Sequence, residues 1–204
     1  MEYFIQECQI FAPTSVYSHY PALQYITIEK YEHYQKRTSR NRYLILTANG
    51  PLTLSIPLTK GKNNHQLIYD VKISYEEDWV KKHLNAIKSA YGKSPYMEFY
   101  FPEIEKLFFK KVPFLFDLNT ISLELMLKFL GMNLLIDYSS TYQNSSLDNK
   151  DTSIKKHHDN ITFINYPQVW QEKFNFTPNL SIIDLLFCTG PEALTILKRM
   201  KSLS

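Results

Sequence analysis

The chain has 204 residues, 44% hydrophobic and 21% charged, the make-up of one soluble folded domain rather than of a disordered chain. A net charge of +3 without a long basic run speaks against a nucleic-acid partner. Two distant cysteines, Cys8 and Cys188, with no CxxC, speak against a zinc knuckle or a redox pair and read as free buried thiols.

In chain order, Tyr3 to Gln6 reads as a short strand, Phe11 to Tyr17 as a loop, and Tyr25 to Ile28 as a second strand. Tyr31 to Arg42 is polar. The apolar runs 43–47 and 52–58 flank Asn49-Gly50, a hairpin signal because both residues tolerate positive φ. Leu67, Tyr69, Val71 and Ile73 alternate and predict a third strand of an antiparallel meander. Ser74-x-x-Glu77 is a capping-box pattern ahead of a helix on which Trp79, His83, Ala86, Ile87, Ala90 and Tyr91 recur at helical spacing, with Gly92 at its end.

Pro102 suits the first position of a further helix. Another helix is expected from about Phe114 to Leu130, stopped by Gly131 and followed by a buried strand, Met132 to Ile136. Tyr138 to Asn160 lacks apolar periodicity and predicts a long polar surface loop. Ile161 to Ile164 returns to a strand. Ser181-x-x-Asp184 opens a short helix ended by Gly190, and Thr189-x-x-Glu192 with Pro191 opens the last one. The order predicts a single α/β domain over 1–204 with a mixed sheet, an antiparallel meander and some parallel pairing; α+β is the competing arrangement. No 18-residue apolar window and no signal-like start are present, so a cytoplasmic protein without a membrane span is expected, and its Asn160-Ile161-Thr162 sequon is read as accidental.

His83 falls near the middle of its helix's apolar face, where it is either a core histidine or a general base, since imidazole titrates near neutral pH. Trp79 and Tyr91 share that face and complete a candidate pocket wall. Arg40 and Arg42, two apart with Asn41 between them, suit a carboxylate or phosphate through bidentate hydrogen bonds, or else form a solvated basic edge. His65 follows the Gly61-Lys62-Asn63-Asn64 turn and is either a surface residue or a second base. Asn119 and Ser122 lie on the mostly apolar side of their helix, so Asn119 orients a chain segment or touches ligand. Asp184 reads as an N-terminal helix carboxylate of structural purpose. No HExxH, GxGxxG, P-loop or GxSxG occurs, and only five glycines are present, so no metal and no cofactor are assigned.

Ser39-Arg40-Asn41-Arg42, Asn49-Gly50-Pro51, Leu54-Ser55-Ile56-Pro57, His65-Gln66, Trp79-x-x-x-His83, Ala90-Tyr91-x-x-Ser94-Pro95-Tyr96 and Asp117-Leu118-Asn119 together resemble the WbqC-like protein family. So do Tyr166-x-Gln168-Val169 and the run from Phe176 to Phe187, and, more loosely, Pro13-x-x-x-Tyr17, which adds Tyr17 to the candidate ligand-binding residues. The resemblance implies a bacterial protein of O-antigen-type surface-polysaccharide synthesis, in which a glycine-transferase role is suggested for some members. Asp137 to Tyr142 lacks the Ser-Gly-Pro loop of longer members, and Cys188 stands where Asn often follows Leu-Leu-Phe.

The expectation is therefore a transferase attaching glycine or a similar acyl group to a sugar. His83 or His65 would be its base, and Arg40 and Arg42 would hold an anionic donor or a nucleotide-sugar phosphate. The alternatives are a non-catalytic binding module for an anionic metabolite or nucleotide-sugar, and an assembly partner in a biosynthetic complex. The residues do not set the oligomeric state.

Overall fold

A computed structural model describes residues 4–59, 66–142 and 161–202. Strands β1 (Ile5–Glu7), β2 (Tyr25–Glu29) and β5 (Leu135–Tyr138) form a parallel sheet in the order β1-β2-β5. Ile5 pairs with Thr27 and Tyr25 with Leu135. The central strand is buried from Ile26 to Glu29, as expected where both edges are paired and both faces covered.

Parallel pairing requires long crossovers. The first passes through α1 (Thr14–Tyr17). The second holds the hairpin β3 (Arg42–Thr47) and β4 (Gly50–Ser55), then α2 (Trp79–Tyr91), α3 (Met97–Phe109) and α4 (Leu115–Phe129). The hairpin forms its own antiparallel pair, with Thr47 opposite Gly50. Its turn residues are Ala48 and Asn49, and Gly50 takes a φ of 103°, so glycine opens the returning strand.

The C-terminal part adds β6 (Ile161–Thr162), α5 (Gln171–Phe174), α6 (Ile182–Thr189), α7 (Ala193–Arg199) and β7 (Lys201–Ser202), with β6 and β7 antiparallel. Every residue of α6 is buried. Each buried Leu, Ile or Phe contributes about 1.5–3 kcal/mol, so this helix is a core element. Backbone bonds stitch its start to the rest of the chain: Ser181 N–H donates to Leu44 C=O (2.9 Å) and Ile182 N–H to Ala12 C=O (3.0 Å).

The α/β class, with parallel and antiparallel pairing, is as expected, but several local features differ. The alternating run 67–73 does not extend as a full strand. It winds a 3-10 turn at Ile68–Asp70 and touches its neighbours through single antiparallel bridges, Leu58 with Ile73 and His33 with Leu67. Asp78, not Ser74, caps α2 by accepting from the Lys81 N–H at 3.2 Å. Pro102 sits inside α3 on its exposed side, because the chain already turns helical at Met97. The strand expected at Met132 to Ile136 forms three residues later, as a largely exposed edge. The Tyr138–Asn160 loop assignment falls mostly on 143–160, outside the described residues, as do His65 and the turn before it.

Candidate functional site

Ligands of α/β sheets bind beyond the carboxyl ends of parallel strands, where the connections diverge. Here β1 ends on Glu7, β2 on Glu29, and β5 on Tyr138. A charged cluster occupies this edge. Arg40, 1% exposed, clasps Glu32 through Nε to Oε1 (2.8 Å) and Nη2 to Oε2. Its Nη2 also reaches Glu7 Oε1 at 2.9 Å, and Nη1 donates to Thr38 Oγ1 at 3.1 Å. Glu29 accepts from Ser139 Oγ and from the Tyr31 N–H, each at 2.7 Å. Burial pushes the Glu32 carboxyl up to about 7; Arg40 pulls against this, and the neighbouring Glu7 and Glu29 add to it.

Beside the cluster opens a cleft of about 410 Å³ lined by Lys30, Val112, Phe116, Asp117, Thr120, Ile121 and Tyr138. Lys30 follows β2 directly, and its ammonium lies 5.7 Å from the Tyr69 ring centre. Asp117 is exposed in the first turn of α4. Tyr138 stands 5.9 Å from the Phe116 ring, and burial raises its phenol above the ordinary range. The lining offers one cation, one carboxylate, two hydroxyl-bearing side chains and an aromatic face. These groups put polar contacts and a flat apolar surface around one volume.

The residues singled out from sequence scatter elsewhere. His83 is 4% exposed, and both ring nitrogens are engaged: Nδ1 with the Tyr43 hydroxyl at 2.9 Å and Nε2 with the Ser55 carbonyl at 3.2 Å. The carbonyl only accepts, so Nε2 carries the proton and Nδ1 accepts from Tyr43. Burial pushes its pKa down to about 4. Trp79 and Phe108 close around the ring, edge-on. This geometry is that of a core histidine and corrects the general-base expectation: the ring's one lone pair is occupied.

Trp79 packs on Tyr75 and His83 inside the core. Tyr91 is buried and donates to Asp184 Oδ2 at 2.8 Å. Tyr17 is buried against Tyr20. Asn41 joins the Tyr34 hydroxyl (3.0 Å) to the Ile56 carbonyl (2.9 Å). Asn119 donates to the Cys8 and Arg40 carbonyls at 3.2 and 2.8 Å, which makes it the orienting residue of its two readings. Arg40 and Arg42 do not form an anion clamp. Arg40 is consumed by glutamates, and Arg42 opens β3 half-buried, with its Nε partnerless among the described residues.

Asp184 lies in the first turn of α6, as expected of a structural helix carboxylate, and is in addition a buried hub. It accepts from Tyr91, from Tyr166 at 2.8 Å and from Gln168 at 3.2 Å, and burial raises it to about 6.

The model of the WbqC-like protein family matches residues 22–165 and 149–196, which together span most of the chain. The chain belongs to the WbqC-like protein family. No curated protein and no solved structure matches it significantly. Among the described residues of this WbqC-like chain, no helix is long and apolar enough to cross a membrane, and no group of three or more His, Cys, Asp or Glu is placed to hold a metal ion. The cleft lining of Lys30, Asp117, Thr120 and Tyr138 escaped sequence reasoning because no motif joins these residues. The available signal was weaker: glutamates and a lysine placed right at the ends of strands.

Proposed function

We propose that this WbqC-like protein is a transferase of bacterial surface-polysaccharide synthesis, acting in the cytoplasm. In this reading it joins glycine or a similar acyl group to a sugar in the cleft at the carboxyl edge of the parallel sheet. Family membership supports the pathway class. The observation that carries the site is the cleft itself, where Lys30, Asp117 and Tyr138 face one volume at the edge where α/β sheets take ligands. Lys30 pairs with the phosphate of a nucleotide-sugar. Tyr138 packs its face on the sugar ring. Asp117 accepts the proton of the attacking hydroxyl as the new C–O bond forms. The acyl donor is an activated glycyl thioester or ester, and that proton passes to its departing thiol or alcohol as the bond to the acyl carbon breaks.

Titration calorimetry with a panel of nucleotide-sugars tests the assignment. Lys30→Ala should weaken binding about tenfold, the loss expected for one charge-assisted contact of roughly 1.5 kcal/mol, and Tyr138→Ala should weaken it by a similar factor through lost ring packing. Asp117→Asn should leave binding intact and lower transfer of labelled glycine by about 10²-fold or more. Unchanged affinity in both binding variants would remove the cleft from the mechanism. A non-catalytic module for the same anionic ligand is the second reading, favoured by His83 having both nitrogens engaged. In that case binding responds as above and no labelled glycine is transferred.

A further inference from the structure

A second cleft of about 570 Å³ lies in the C-terminal part of the chain, lined by Asn165, Gln168, Gln171, Glu172, Asn175 and Phe176. Four of these six carry carboxamides. A carboxamide both donates and accepts, as a sugar hydroxyl does, so such a lining matches a neutral polyhydroxyl ligand and has little to offer a phosphate.

The frame of this cleft is held from behind. Gln168 uses both ends of its amide: Nε2 donates to Thr177 C=O at 2.9 Å and to the buried Asp184, and Oε1 accepts from the Thr177 N–H at 2.8 Å. Gln171 Oε1 accepts from the Gln168 N–H at 3.2 Å, which leaves its NH2 group available. Trp170 Nε1 donates to Ala90 C=O at 3.0 Å and ties this segment to α2. Phe176 stands edge-on to Tyr166, with ring centres 5.2 Å apart. The side chains of Asn165, Glu172 and Asn175 are exposed and make no hydrogen bond among the described residues. Asn175 holds φ 57° and ψ −167°, a backbone conformation that favours glycine. The floor of the cleft is fixed, and the polar groups around its rim are unengaged among the described residues and can meet a ligand.

We propose that this cleft is a saccharide-binding subsite for a neutral sugar unit. The free amides and Glu172 would hydrogen-bond vicinal hydroxyls, and Phe176 would cover an apolar ring face. A peptide occupant fits less well. One common mode for extended peptides is addition to a strand edge, and among the described residues no strand lines this cleft. The inference does not depend on the Lys30 cleft, whose ligand is anionic.

The test uses the full chain, 15N-labelled, titrated with neutral disaccharides of hexose and N-acetylhexosamine to about 10 mM, a range that captures weak single-site binding. The NH2 resonances of Asn165, Gln171 and Asn175 should shift together and saturably for at least one sugar. Asn175→Gly keeps the positive-φ backbone and Glu172→Gln keeps the shape; each should weaken that binding about fivefold or more while the rest of the spectrum stays folded. Lys30→Ala should leave it unchanged, which separates this site from the other cleft. Absence of shifts for every sugar, shifts confined to other regions, or saturable shifts with a neutral tetrapeptide in place of the sugars would each overturn the proposal.

Discussion

His83 illustrates how one residue's chemistry depends on its surroundings. On the helix face it looks like a base. In the folded protein it bridges α2 to both hairpin strands, through Tyr43 on β3 and Ser55 on β4. Its folded pKa of about 4 lies below the ordinary 6.5 because burial disfavours the cation. Between those two values the unfolded chain binds a proton that the folded chain does not. The resulting stability is complete above pH 6.5 and is lost as pH falls toward 4, at up to about 1.4 kcal/mol per pH step. Urea unfolding from pH 7 to 4 should show the wild type losing stability relative to His83→Gln with this slope, because the raised carboxyls of Glu32 and Asp184 contribute equally to both proteins; the variant is expected to cost about 1–3 kcal/mol at neutral pH. The same slope in both proteins would place the acid sensitivity elsewhere.

At the scale of elements, the junction between α6 and α7 turns on one glycine. Gly190 takes a φ of 53°, and a Cβ there would lie 2.5 Å from the Tyr96 ring. The Tyr96 N–H also donates to Phe187 C=O at 3.1 Å, so the start of α3 is docked on the end of α6. Gly190→Ala should cost more than the roughly 1–2 kcal/mol that a left-handed backbone costs an L-residue. A double-mutant cycle with Tyr96→Ala, read by chemical denaturation, should recover the steric part. Strict additivity would mean that the ring moves aside freely. Elsewhere, capping and strand boundaries moved by a few residues from their sequence patterns. Asp78 displaced Ser74 because the first turn of α2 begins at Trp79, whose burial sets the helix start.

Across the whole molecule, Arg40 is the tie. Its guanidinium holds Glu7 at the end of β1 and Glu32 beyond β2, and its carbonyl accepts from Asn119 on α4. Removing one partner of a buried ion pair leaves uncompensated charge. Arg40→Ala should therefore cost about 3–5 kcal/mol, whereas Arg40→Met combined with Glu32→Met should regain most of that. Equilibrium unfolding of the three proteins decides the point. A loss below about 1 kcal/mol in Arg40→Ala would make this a surface-type pair. The cluster also braces the floor behind the Lys30 cleft, because Ser139 links Glu29 to the Lys30 N–H at 2.9 Å.

The local code of this chain was readable without coordinates. Alternation and Asn49-Gly50 specified the hairpin, 3.6-residue periodicity specified α2, and ordered short motifs specified the WbqC-like family, because each depends on neighbours close in sequence. The polar residues were legible as polar, and their roles were not. Whether Arg40 meets a ligand phosphate or Glu32, whether Asp184 serves its helix end alone or also gathers Tyr91, Tyr166 and Gln168, and whether His83 has a free lone pair all depend on groups up to 93 positions away. Tertiary packing alone decided these pairings, since a buried charge or donor takes whichever partner the fold brings within about 3 Å. It also placed Lys30, Asp117 and Tyr138 around one cleft, although nothing local in the chain connects them.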